Sequence, residues 1–342
     1  MMAHEVDASE KLSSATRPWI KLDFVIRNEK LADGNYNDYV KSFCRNKGLI
    51  DRLYAAIKTD PAISKLLNKQ YLKKELTECY SAICLVERSL RRRGAACKEG
   101  KVIESLSFCQ PCDEEAVKFA SNPLDLVDNE STDEPLLTFS AIRENSRNLV
   151  FYDICSGKGV LSFLLAVLFP EVPRIVMVDS NANMKLDHLD SECCTNVFYI
   201  NHDIYSESFL SFMNAESTEC RLLGHIPIVI GLHLCGTLST RLTQLFNSND
   251  LLPILILSPC CAPTRSKKNR AFMTRERLRQ NKWCSYAFWY MSVYVSLTPV
   301  HCVKDIIKDE LVLSEKNTLI LAIKRNFLSA LAVDDSSSTL TG

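Results

Sequence analysis

Residues 149–169, LVFYDICSGKGVLSFLLAVLF, hold the turn around which the rest of the chain can be arranged. The apolar run Leu149–Ile154 carries Asp153 near its end, the chain turns through Cys155-Ser156-Gly157-Lys158-Gly159, and an apolar stretch long enough for three helical turns follows. The order is strand, glycine turn, helix. Two glycines one residue apart permit backbone conformations that a Cβ forbids. They also leave room for a ligand against the main chain at the positively polarised start of a helix.

After Pro170 the pattern repeats. Residues 174–179 (RIVMVD) read as a buried strand ending on a carboxylate, 181–189 as a helix, and 197–200 as a third strand closing on Asn201-His202-Asp203. Residues 226–233 and 252–257 give a fourth and a fifth strand, the fifth running into Ser258-Pro259-Cys260-Cys261. Residues 288–297 and 317–324 are two further strand candidates. Uniformly apolar strands separated by helical stretches indicate a parallel sheet covered on both faces. Such sheets bind ligands at the carboxyl ends of their strands. The unusual polar residues of this chain fall at those ends.

Upstream, residues 35–93 read as helical. Thr59-Asp60-Pro61 is a helix start with a capping side chain and a proline at the first helical position, and Gly94 after Arg91-Arg92-Arg93 is a stop. Ile63, Leu66, Leu67 and Tyr71, then Leu76, Cys79, Tyr80 and Ile83, recur at helical spacing and bury one face. Residues 121–148 hold Asp125, Asp128, Glu130, Asp133 and Glu134 and two prolines among polar residues and read as a linker. The expected division is a flexible N-terminus (1–34), a helical region (35–120), the linker (121–148), an α/β domain (149–328) and a disordered tail (329–342).

The strand ends suggest a nucleoside ligand. A dinucleotide fingerprint, G-x-G-x-x-G, needs glycine at position 162, where this chain has Ser162. An S-adenosylmethionine turn uses an acid followed by alternating glycines. Asp153-x-Cys155-x-Gly157-x-Gly159 keeps the acid and two glycines, with the small Cys155 in place of the first. Asp153 can hold the ligand's ammonium. Asp179, 22 residues after Gly157, ends the second strand, where an acceptor takes both ribose hydroxyls. Asp203, after the third strand, can accept from the adenine amino group. Any one acid could be a solvated strand end or a helix cap, but three acids after three successive strands favour S-adenosyl-L-methionine.

The runs Asp153-Ile-Cys-Ser-Gly-Lys-Gly-Val-Leu-Ser162, His233-Leu-Cys-Gly236 and Pro259-Cys260-Cys261 resemble, in order and strand placement, a class I methyltransferase family. It includes the tRNA acceptor-stem 2′-O-methyltransferases and related methyltransferase-like proteins. The resemblance covers about 149–263. It implies an α/β, Rossmann-like seven-stranded sheet, an S-adenosyl-L-methionine donor and an acceptor side formed after the fourth and fifth strands, with Cys235, Gly236, Pro259 and Cys260 lining it. His233 there is either a general base, its ordinary pKa lying near neutrality, or a brace for the turn. Cys260 is either a nucleophile of the kind RNA cytosine-5 methyltransferases use or a structural part of the pocket wall.

Residues 264–282 hold eight basic side chains, among them Arg265, Lys267, Lys268 and Arg270, against Glu276 alone. This local excess follows directly on the Pro259-Cys260-Cys261 turn. It reads either as a track for a phosphate backbone, which makes RNA the expected partner, or as a solvated helix face. Over the whole chain the charge is silent on partners: 41 Lys and Arg balance 41 Asp and Glu in 342 residues. No run approaches a membrane span, and the start lacks a secretory pattern, so the expectation is an intracellular protein, cytoplasmic or nuclear, with no membrane partner. Fifteen cysteines, several inside apolar runs, suit a reducing compartment. Cys109 and Cys112, with Cys97, are either part of a zinc site or loop cysteines, and no metal is assigned to the strand-end site. The function expected is S-adenosylmethionine-dependent methyl transfer, with RNA as the acceptor. The alternatives are a methyltransferase-like binding protein without turnover and a protein methyltransferase.

Overall fold

The computed structural model describes residues 47–68, 72–99, 139–261, 282–298, 302–309, 311–312 and 317–329. The expected flexible N-terminus, the tail beyond residue 329, Cys109, Cys112 and basic residues 265–281 lie outside these. Helices α1 (Lys47–Thr59), α2 (Pro61–Leu67), α3 (Leu72–Glu99) and α4 (Ser140–Asn145) precede β1 (Leu149–Ile154). There follow α5 (Val160–Leu168), β2 (Arg174–Asp179), β3 (Val197–Asn201), α6 (Glu207–Leu222), β4 (Ile226–Cys235), α7 (Leu238–Ser248) and β5 (Ile254–Cys261). The chain then forms α8 (Lys282–Ser296), β6 (Cys302–Lys308), β7 (Thr318–Lys324) and α9 (Arg325–Ser329).

The strands form one sheet in the order β3-β2-β1-β4-β5-β7-β6. The first five are parallel, while β7 runs antiparallel to both β5 and β6. This is the seven-stranded Rossmann-like sheet that the resemblance implies. The strand order reverses at β1, which pairs with β2 on one side and β4 on the other, so the crevice beyond β1 is the topological switch point.

Alternation along each strand sorts the core into two layers. Phe151, Ile175, Met177, Ile228, Ile230 and Ile256 share one cluster with α1 to α5. Tyr152, Val176, Val178, Val229, Leu255 and Leu257 share the other with α6, α7 and α8, through Phe209, Met213, Leu242, Phe246 and Val293. The N-terminal helices therefore share the sheet's own core. Helix α5, VLSFLLAVL, is apolar all round and buried at every position, because the sheet lies on one side and the N-terminal helices cover the other.

Several buried polar contacts fasten α3. Glu87, 4% exposed, accepts from the backbone N–H groups of Ala141 (3.0 Å) and Ile142 (2.9 Å) and so caps the short helix that leads into β1. Ser81 donates to Asp309, and Arg92 donates to Asp305 on β6 at 2.8 Å.

Asp60 caps α2 as expected, accepting from Ala62 N at 2.7 Å, with Pro61 at the first helical position. Other expectations need correction. Residues 181–189 form no α-helix: Asp179 and Asn181 side chains accept from the backbone N–H groups two residues on, at 3.0 and 3.1 Å, and divert donors that a helix would use. Only a 3₁₀ turn, Asp187–Asp190, follows. Residues 288–297, read as a strand from their aromatic and β-branched content, lie largely in α8, and the buried positions Tyr290, Val293 and Leu297 keep helical spacing. Gly94 does not end α3, which continues to Glu99. An exposed mid-helix glycine costs only about 1 kcal/mol, which tertiary packing overrides. Within the expected linker, Phe139 is fully buried and Ser140–Asn145 is helical.

Candidate active site

The glycine turn leaves β1 with left-handed backbone at Cys155 (φ 57°), Gly157 (φ 53°) and Gly159 (φ 73°). Its two glycines serve different purposes. A Cβ on Gly157 would meet nothing within 4 Å, so this residue faces open space in the crevice. A Cβ on Gly159 would lie 2.4 Å from Met177 Cε, so here the close approach is made by the β2 side chain beneath the turn.

Asp179 holds the turn from the end of β2. Its Oδ2 accepts from Gly157 N at 3.1 Å and its Oδ1 from Asn181 N at 3.0 Å. Each carboxylate oxygen keeps a further lone pair for a ligand hydroxyl. The backbone carbonyl of Asp179 is fixed by Asn201 Nδ2 at 3.0 Å, Tyr199 Oη at 3.2 Å and His202 N at 3.1 Å.

Asp153 is 3% exposed, and its Oδ2 accepts from the Ser162 hydroxyl at 2.8 Å in the first turn of α5. Burial pushes its carboxyl up to about 7, against the lowering effect of the hydroxyl and backbone N–H of Ser162, while the charge of Asp179 adds to the rise. Ser162, which displaces the third glycine of a dinucleotide fingerprint, is thus the partner of the turn's own acid. Cys155 is surrounded by the site's groups. Burial, followed by the charges of Asp179, Asp153 and Asp203 and by Cys235, pushes its thiol up to about 12, so it remains protonated.

Asp203 is exposed at the start of the loop after β3, its Oδ1 accepting from Tyr205 N at 3.0 Å. Tyr205 Oη in turn lies 2.5 Å from Thr237 Oγ1, beside Gly236, and this pair joins the loops that follow β3 and β4. His202 packs its ring against Phe212, 5.4 Å between centroids.

At the end of β4 the pairing with β5 shifts register on both sides of Leu234. Leu234 folds back so far that a Cβ on Gly231 would lie 2.7 Å from its Cδ1, and His233 takes φ 58°. This irregularity turns His233 out of the pleat. Its Nε2 lies 2.5 Å from Oε2 of Glu78 on α3, a carboxylate only 5% exposed whose Oε1 is 3.6 Å from Lys74 Nζ. Gly236, with φ 58°, donates its N–H to Cys261 O at 2.9 Å and ties the β4 end to the β5 end. Pro259 pairs with Leu234 in the ladder, and Cys260 donates its S–H to His233 O at 3.2 Å. Burial, then hydrogen bonds with Cys235 and Cys261, push the Cys260 thiol above its usual range, which disfavours a free thiolate nucleophile there.

The structure thus brings Asp153, Cys155, Gly157 and Asp179 together around one turn, with Asp203 and Cys235 near enough for their charges to act on Cys155. It sets His233, Cys235, Gly236, Pro259 and Cys260 at two neighbouring strand ends. Arg265, Lys267, Lys268 and Arg270 fall outside the described residues. Glu78, Ser162, Tyr205 and Thr237 were not expected. Glu78 did leave a signal: it shares a helix face with Ala82, Leu85 and Ser89, all fully buried, so a carboxylate stands in a core stripe.

Residues 134–267 match a protein-family model described as a methyltransferase domain. The matched range takes in the glycine turn, all three strand-end acids, His233 and the Pro259-Cys260-Cys261 turn. Together with the sheet order, this match supports a Rossmann-like, class I methyltransferase domain over that range. No curated protein and no solved structure was found to match the chain.

Proposed function

We propose that the chain is an S-adenosyl-L-methionine-dependent methyltransferase acting on RNA. The observation that carries the donor reading is the Asp179–Gly157 contact. A strand-end carboxylate with spare lone pairs fixes a left-handed glycine whose Cβ direction is open space, and this fits a ribose above the turn. Asp179 would hold the ribose, Asp203 the adenine edge, and Asp153 with the glycine turn the amino-acid part. When bound, the donor supplies a methyl group already activated on its sulfonium, so the protein's task is mainly alignment and proton removal. His233 is suited to the second task. The Glu78 carboxylate favours a proton on Nε2 and leaves the Nδ1 lone pair to accept one from the substrate.

The RNA reading is supported by the basic run 265–282, which follows the Pro259-Cys260-Cys261 turn in sequence. Calorimetry with S-adenosylmethionine and S-adenosylhomocysteine on the full chain and on Gly157→Trp tests the donor site. Binding that disappears in the variant is expected, and an unaffected variant removes the assignment. RNA retention at low salt, lost when Arg265, Lys267, Lys268 and Arg270 are changed to Gln, is expected if RNA is the acceptor. Retention that ignores those changes would point to a protein substrate.

A further inference from the structure

The sulfurs of Cys235, at the end of β4, and of Cys260 and Cys261, at the end of β5, all lie within 4.8 Å of one another. Cys235 Sγ is 2.6 Å from Cys260 Sγ, which is 3.4 Å from Cys261 Sγ. Successive residues of a strand ordinarily point to opposite faces, so the convergence of Cys260 and Cys261 marks a departure from the pleat, at the place where the β4–β5 register is broken. A disulfide between Cys235 and Cys260 would engage only two of the three converging sulfurs. A thiophilic cation engages all three.

We propose that Cys235, Cys260 and Cys261 form a binding site for Zn²⁺. With Zn–S bonds of about 2.3 Å, tetrahedral thiolates stand roughly 3.8 Å apart, so occupation requires chiefly a rotation of Cys235 away from Cys260. Cys235 is exposed at a strand end and can make that movement, while Cys260 is buried and Cys261 half-buried. The thiols release their protons to solvent as the ion enters, and its charge relieves the repulsion among three close thiolates. Three protein ligands leave a fourth position open, as in catalytic rather than purely structural zinc sites. Cys155 of the glycine turn follows β1, the strand next to β4, so the site stands one strand away from the proposed donor turn. Water or a soft atom of the methyl acceptor would complete the coordination.

This inference rests on the strand-end geometry and not on the methyl-donor reading, and its test uses no donor. The full chain, reduced and stripped of metal, is titrated with Co²⁺ as a spectroscopic substitute for Zn²⁺. The expected result is thiolate-to-cobalt charge-transfer absorption with tetrahedral ligand-field bands, displaced by Zn²⁺. This absorption should be lost in Cys235→Ser and in Cys261→Ser but retained in the double variant Cys109→Ser/Cys112→Ser. Circular dichroism establishes that each variant is folded, and the exposed Cys235 can be changed without opening the core. The proposal is overturned if the folded, reduced chain shows no cobalt–thiolate absorption, or if both serine variants retain it. It is also overturned if a Cys235–Cys260 disulfide re-forms in air in the presence of Zn²⁺.

Discussion

The Nε2 of His233 lies 2.5 Å from Oε2 of Glu78, a residue 155 positions earlier in the chain, and this contact joins the N-terminal helices to the end of β4. Glu78 is buried on α3 and His233 is partly exposed near the end of β4. Replacing the carboxylate with an amide tests whether the pair does chemistry or only packs. Glu78→Gln is expected to lower kcat on the order of 10- to 100-fold while leaving donor Kd unchanged, because an amide orients the ring without stabilising an imidazolium. Equal kcat in the two proteins would reduce His233 to a brace. Glu78→Ala should also lower the unfolding free energy by about 1–3 kcal/mol, read from urea denaturation.

Asp153 makes stability depend on pH. Its folded-state carboxyl titrates at about 7, well above the roughly 3.9 of an unfolded chain, so between these values the folded state holds the extra proton. The contribution of Asp153 to stability should therefore be fully present below pH 4, fall as pH rises towards 7 and level off above it, with a total change of at most about 4 kcal/mol. Asp153→Asn should remove that slope in denaturation curves across the range. Ser162→Ala, which deletes a hydrogen bond favouring the charged form, should raise the folded-state value further and extend the fall to higher pH.

Asp179→Ala removes the carboxylate proposed to hold the ribose, together with the anchor of Gly157. Donor Kd is expected to rise on the order of 10- to 100-fold, as fits the loss of hydrogen bonds to a charged group. Calorimetry reads this directly, and an unchanged Kd would mean that the ribose does not lie here.

Gly159 and Gly157 should respond differently to alanine. Gly159→Ala meets both a left-handed φ and Met177 at 2.4 Å, whereas Gly157→Ala meets only the φ. About 1–2 kcal/mol of destabilisation is expected from the backbone alone at each position. Gly159→Ala should exceed this, with the excess relieved in a Gly159→Ala/Met177→Ala double-mutant cycle monitored by thermal unfolding.

The sheet was legible because its central strands are buried on both faces. Runs such as Arg174–Asp179 and Ile254–Cys261 admit little but apolar residues, and each ends on the polar group the site uses. The edge strand β6, CVKDIIK, escaped notice because among the described residues it pairs with β7 alone and carries charges that an inner strand would exclude. Residues 288–297 misled because the aromatic and β-branched content that favours strands outweighed a helical period visible only at Tyr290, Val293 and Leu297. In the site, Asp153, Gly157 and Asp179 announced themselves through a local pattern. The pairing of Ser162 with Asp153 did not, since nothing in a nine-residue separation states a contact. Glu78 was still less accessible, because its partner is brought to it only by the tertiary fold.

Helix α3 has a consequence for how the chain matures. Its polar groups find their partners far downstream: Glu87 at Ala141 and Ile142, Glu78 at His233, Arg92 at Asp305 and Ser81 at Asp309. Synthesis delivers this 28-residue helix before all of these partners, and Asp309 follows Ser81 by 228 residues. Throughout that interval the nascent helix carries an apolar face with no sheet to cover it, the condition under which chains of high contact order need protection from one another. A polypeptide interrupted before Asp309 would therefore leave α3 without the last of its downstream partners, and chaperone dependence in a cell-free translation should end only once β6 and β7 have emerged.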